Sequence, residues 1–231
     1  MNSFISELED ELRPKIDRVL QSRYLARLSS GTLSFEELRE FAIQYWYYCQ
    51  YFPRLLAAAA ANVPDDQTRD SLVKNLWEEH GKGDPSRSHR VLFLKFALAL
   101  NVESELDQRH PFASTDAFVH GMFKLCQSSH FLEAVGALSV GGEFYTSEQF
   151  RLILSGLERY SFLSASSLEF WRVHISVDVG HYEEMAISLS RWTETEEWRS
   201  LIRRGAHQAI ALDLVFWEGL ENEAFGSTGK P

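Results

Sequence analysis

The sequence is poor in residues that cross-link or interrupt a chain. It holds 2 cysteines, Cys49 and Cys126, in 231 residues. That excludes a disulfide framework and a thiolate zinc site, each of which needs more sulfur than this. Gly and Pro number 13 and 6, below their usual share of a protein. Positive charge is short as well: Lys+Arg is 23 against Asp+Glu 33, a net charge of -10. A nucleic-acid partner requires a basic face, so this balance argues against one. No apolar run reaches the roughly 18 residues of a membrane helix. The first residues, MNSFISELEDELRPK, lack the charged-then-apolar pattern of a signal peptide. The expectation is a soluble, cytoplasmic protein with a small-molecule substrate, no membrane association, and either a monomeric or a homodimeric state.

What the sequence has in quantity is helix-forming material. Leu occurs 29 times, Val 12 and Ile 8, and Leu over β-branched residues favours helices. Ser34 and Glu37 form a capping-box pattern ahead of a long helix. Its apolar positions are Phe35, Leu38, Phe41, Tyr45, Tyr48, Phe52, Leu55 and Ala59, in steps of three and four. A helix follows Pro64 with Leu72, Leu76 and Glu79 on one face. Asp84-Pro85 reads as the start of the next, running to about Leu100. Further helical patterns cover about 113–126, 129–143 and 147–160. Ser166-x-x-Glu169 and Thr193-x-x-Glu196 read as starts of the last two. No period-2 strand is evident. The reading is an all-α, single-domain bundle of about seven to nine helices over residues 1–225, with 226–231 as a disordered tail.

One helix carries chemistry where a core belongs. Its inward stripe reads Trp171, His174, Asp178, His181 and Met185. Positions i, i+4 and i+7 share a face. Two imidazoles and a carboxylate converging there require a partner, because burying them unpaired is costly. A divalent metal is one such partner, and a solvated or hydrogen-bonded face is the other. Three more ionisable residues fall on inward faces of separate helices: Glu79, His89 and Glu143. The combined set, Glu79, His89, Glu143, His174, Asp178 and His181, has three imidazoles and three carboxylates from four helices. Such sets build dinuclear iron or manganese sites in bundles, and mixed N/O ligation suits those metals better than structural zinc. Gly136, Gly141 and Gly142 lie beside Glu143. Each costs roughly 1 kcal/mol in a helix against Ala. They read as close helix approach, as open space beside a metal, or as a plain helix end. Tyr45, Tyr48, Phe52 and Gly142 are the candidate substrate-pocket residues.

The stretches NLWEEHGKGDPSRSHRVLFLKFALAL, GALSVGGEF and HISVDVGH, with SSGTLSFEELREFAIQYWYYCQYFP, resemble the haem-oxygenase-like di-iron oxidases, on the side of the CADD-like proteins. The resemblance spans most of the chain, and its specific part is H-x3-D-x2-H. It implies about seven helices around a central cavity, and the six residues above as ligands of two iron ions (an Fe/Mn pair is the variant). Glu79 and His89 are spaced more widely than in that family, so the resemblance leaves Glu78 and His80 as their substitutes. It also implies O2 as co-substrate and an external reductant. Haem is disfavoured, because haem oxygenases use a His on the first helix and this chain has none before His80. The thiaminase-like branch uses a Cys nucleophile, a role Cys49 could imitate. Two other readings stand beside the oxidase. One is a helical protein-interaction module. The other is a cofactorless oxidase like the pyrroloquinoline-quinone synthesis enzyme, which calls for inward Arg and Lys.

Overall fold

The computed structural model describes residues 2–128 and 130–225. The expected tail 226–231 lies outside them. The order is α1 (Ser3–Leu20), α2 (Arg23–Ser29), α3 (Phe35–Asn62), α4 (Asp66–Glu79), α5 (His89–Ala99), α6 (Ala113–Ser128), α7 (Phe131–Leu138), α8 (Phe144–Leu157), α9 (Glu169–Ser190) and α10 (Glu196–Phe225). A π turn, Ser139–Glu143, joins α7 to α8 without a break. Counted as one, they make nine α-helices among the described residues, which contain no strand. The fold is all-α, as read from the sequence. No helix among the described residues is long and apolar enough to cross a membrane.

Caps explain most of the helix starts. At Ser34 both halves of the capping box form, which is worth about 1 kcal/mol, and α3 then continues through Pro53 to Asn62. Three expected caps are displaced, those of α9, α10 and α5. Ser166 does not open α9: an upstream turn, in which Ser164 Oγ accepts from Ser167 N–H, carries the chain in, and the helix begins at Glu169. At α10 the Trp198 N–H donates to Thr195 Oγ1. Thr193 instead donates to the Ser190 carbonyl, closing α9.

The α4–α5 connection sets up the site. Gly81, Lys82 and Gly83 all take positive φ, at 84°, 54° and 92°. A Cβ on Gly81 would stand 2.1 Å from the Asp84 carbonyl oxygen, so only glycine fits there. Asp84 caps no more than the short 3-10 turn Pro85–Arg87. Ser88 caps α5 instead, accepting from Val91 N–H. The expected start at Asp84-Pro85 is therefore four residues early. The tight turn places His89, the first residue of α5, against Glu79, the last of α4.

α7 and α10 approach closely, and glycines on both sides permit it. A Cβ at Gly205 would lie 2.0 Å from the Glu133 oxygen, one at Gly136 2.6 Å from the Ile202 oxygen, and one at Gly141 2.8 Å from Ala206 Cα. Gly142 differs, since its nearest neighbour would be the Ala137 oxygen at 3.4 Å. The glycines beside Glu143 are thus not a helix end. Two of them seat α10, and Gly142 borders a cavity. Beneath that cavity lies an aromatic core. Trp171 packs against Phe41 at 5.7 Å, Tyr45 at 5.1 Å and Phe150 at 5.4 Å between ring centroids.

Candidate metal centre

The stripe on α9 is buried residue by residue: Trp171, His174, Asp178, His181 and Met185. So are Glu79 on α4, His89 on α5 and Glu143 in the π turn. All six expected ligand residues meet in one place, as two trios. Glu79, His89 and His174 form one, and Glu143, Asp178 and His181 the other. In each trio the nearest donor atoms lie within 4.8 Å of one another. His80 is exposed, away from this cluster.

Each histidine with a clear partner presents a defined nitrogen. His174 Nδ1 is 2.7 Å from the Phe170 carbonyl. A carbonyl only accepts, so Nδ1 holds the proton and Nε2 presents its lone pair. His181 Nε2 is 3.1 Å from Glu78 Oε2. Burial would raise the Glu78 pKa, but hydrogen bonds from Lys82 and His181 hold it below the usual value. Glu78 is then ionised, and His181 Nε2 donates to it. Its Nδ1 faces inward, 3.8 Å from Glu143 Oε1 and 3.9 Å from Asp178 Oδ1. Glu78 therefore stands behind His181 rather than in place of Glu79. A carboxylate behind a ligating imidazole is the usual second layer of a metal site.

The arrangement is unsatisfied without a cation. His89 Nδ1, Asp178 Oδ2 and His181 Nδ1 are buried with no hydrogen-bond partner. His89 Nδ1 lies 2.8 Å from Glu79 Oε1, but out of line for a hydrogen bond. Burial, with Glu79 nearby, pushes Glu143 up to about 8, although Asn75 donates to its Oε1 at 3.0 Å. Burial and the neighbouring Glu143 and Glu79 hold Asp178 well above the usual carboxylate range. Burial, then the nearby His89, push His174 well down. Neutral imidazoles and carboxylates starved of positive charge are what a divalent ion requires of its ligands. The donor set fits two such ions, with N and O ligands and no thiolate.

A cavity of about 40 Å³ opens beside both trios. Tyr45, Tyr48, Phe52 and Gly142 all line it, together with Cys49, Met122, Thr146, Phe150 and Phe170. Trp46, Tyr47 and Tyr51, from the same aromatic run, point elsewhere: Trp46 against Phe93, Tyr47 to the Arg109 carbonyl, Tyr51 under Arg54. Asn75, Glu78 as a positioning group, Met122 and Thr146 were not legible as site residues. The signal for Asn75 was there: it sits four residues before Glu79 on the same helix face.

The chain is similar to known proteins over most of its length. The profile of a family described as iron-containing redox enzymes matches residues 39–214. A 4-aminobenzoate synthase from Chlamydia pneumoniae is 29% identical over 190 residues, covering 80% of each chain. Another from Nitrosomonas europaea is 26% identical over 226 residues, covering 90% of each. A 4-chloro-allylglycine synthase from Streptantibioticus cattleyicolor is 23% identical over 220 residues, covering 93% of this chain and 84% of its own. In three dimensions the chain is similar to a TenA homolog from Pseudomonas syringae, with TM-score 0.81, 17% identity, and coverage of 96% of this chain and 93% of that one. It is also similar to a CADD-like protein of unknown function from Nostoc punctiforme, with TM-score 0.70, 17% identity, and coverage of 96% and 98%. The chain belongs to the iron-containing redox enzymes, oxidoreductases built on a haem-oxygenase-like fold.

Proposed function

We propose that this protein is a non-haem di-iron oxidase or oxygenase that uses O2 to oxidise a small organic substrate. This rests on the pair of buried trios, in which His89 Nδ1, Asp178 Oδ2 and His181 Nδ1 lack hydrogen-bond partners. Glu79, His89 and His174 would hold one ion, and Glu143, Asp178 and His181 the other; an Fe/Mn pair suits the same donors. When bound, the two metals would supply redox electrons and open coordination positions for O2, and an external reductant would restore them. The chain's own residues do the rest. The Phe170 carbonyl and Glu78 fix the tautomers of His174 and His181. Asn75 orients Glu143. Phe150, Phe170 and Phe52 line the chamber with apolar surface, which disfavours water beside the reacting groups.

The relatives' names, a 4-aminobenzoate synthase and a 4-chloro-allylglycine synthase, support a small organic substrate. An amino acid, a fatty acid and an aromatic amine all remain within that class. The cofactorless reading calls for inward cations, yet the residues lining the chamber include no Lys or Arg. Arg203 and Arg204 pair with Glu11 and Glu133 at the periphery. A Cys nucleophile is disfavoured because burial, reinforced by Glu79, pushes the Cys49 thiol well up. The interaction-module reading gives the six buried ligand residues no role.

The test is anaerobic loading of apo protein with Fe(II), followed by O2. The expected result is iron content near two per chain and O2 consumption that requires the iron. If wild type and His174→Ala bind iron equally poorly, the reading fails.

A further inference from the structure

The chamber does not end at the metal trios. A second lobe, also about 40 Å³, shares Tyr45, Tyr48, Met122, Gly142 and Thr146 with the first. Its far wall carries Asp213 of α10. This carboxylate has neutral partners only: Tyr145, Gln149 and the Trp217 indole. The Tyr145 hydroxyl donates to Oδ2 at 2.8 Å, and Gln149 Nε2 donates to the same oxygen at 2.9 Å. Oδ1 receives neither. No Lys, Arg or His forms an ion pair with Asp213 among the described residues, and the lining of neither lobe includes Lys or Arg. A carboxylate set in an aromatic wall without a counter-cation is costly. Two donors on one oxygen hold it in place but supply no positive charge.

Resting on the oxidase reading above, we propose that Asp213 anchors a positively charged amine of the substrate, with Tyr145 and Gln149 holding the carboxylate in position. The oxidisable part of the molecule then extends along Tyr45, Tyr48 and Gly142 toward the trios. The ligand class is a primary ammonium compound with a short apolar body. Burial raises the Asp213 pKa, but only to about 6, so the group is mainly ionised at neutral pH and available to a cation. A fatty acid would bring a second negative charge to the same wall, so it is the disfavoured class.

The test is isothermal calorimetry on Fe(II)-loaded protein under argon, with hexylamine, hexanol and hexanoate as probes of matched length. Iron content is measured on the same samples. The expected result is hexylamine bound at least tenfold more tightly than either of the others, with the preference lost in Asp213→Asn. Hexylamine bound no better than hexanol by wild type would overturn the proposal, with no variant needed. So would an amine preference that survives Asp213→Asn, since the amine would then be held by the acidic metal ligands. An Asp213-dependent preference in protein that fails to hold two irons would support the anchor and defeat the di-iron reading.

Discussion

His89 and His174 face each other with ring centroids 4.2 Å apart and planes at 60°. They come from α5 and α9 and share Glu79 as third member of their trio. Phe150 stacks on His174 at 4.7 Å, and Phe170 lies at 4.3 Å. Two imidazoles this close in an apolar wall repel if both are protonated. As neutral ligands of one cation they are mutually compatible.

Iron uptake should therefore release protons. Glu143 is pushed up to about 8 by burial, and Asp178 is raised well above its ordinary value. Both must be deprotonated to ligate. Affinity for Fe(II) should climb as pH rises from 6 toward 8. Calorimetry at pH 7 in two buffers of different ionisation enthalpy should show net proton release on binding. Binding with no buffer dependence would contradict this account of the site's charge.

Glu78→Ala should weaken iron binding without unfolding the protein. The carboxylate touches His181 Nε2 from behind, and loss of such a partner typically costs about 10–100-fold in metal affinity. Equilibrium titration should show that loss at one of the two sites, with the other little changed. Unaltered affinity at both sites would remove Glu78 from the assembly.

The glycines make a paired stability prediction. Gly205→Ala drives a Cβ to 2.0 Å from the Glu133 backbone oxygen and should cost about 1–3 kcal/mol or more through overpacking. Gly180 lies mid-helix with nothing within 4 Å of a built Cβ, so Gly180→Ala should gain up to about 1 kcal/mol from helix propensity. Denaturant midpoints of the two variants should move in opposite directions from wild type.

Asp213 sets a pH signature. Its folded pKa, about 6, lies above the ordinary 3.8. The folded chain holds this proton more tightly, so its contribution is fully present below about pH 4 and lost as pH rises through about 6. Asp213→Asn abolishes that dependence. The stability difference between variant and wild type should shift in the variant's favour between pH 4.5 and 7, by at most about 3 kcal/mol. Parallel stability–pH curves would show that Asp213 is not perturbed by burial.

The α9 stripe was legible because helical periodicity put ionisable residues at positions that only a buried face uses, and all five are buried. Ser34 was legible because its capping box is local. Other features depend on distant contacts. Gly136 and Gly141 could be read as packing or as a helix end, since what decides is α10, some sixty residues further on. Ser88 rather than Asp84 caps α5 because Asp84 is taken up in capping the short turn Pro85–Arg87 just before it. Asp213 was missed although it lies four residues after Ala209 and three before Phe216, on an inward-facing register; read singly, an acidic residue on a polar helix looks solvated. Glu78 was read as a rival of Glu79, while consecutive helix positions in fact point to different trios.

In the proposed site these six side chains hold two metal ions. An anomalous difference map at the iron edge, from crystals of anaerobically Fe(II)-loaded protein, tests it directly. Two peaks are expected, one within Glu79, His89 and His174 and one within Glu143, Asp178 and His181. Peaks elsewhere, or none in a crystal whose protein carries iron, would contradict it.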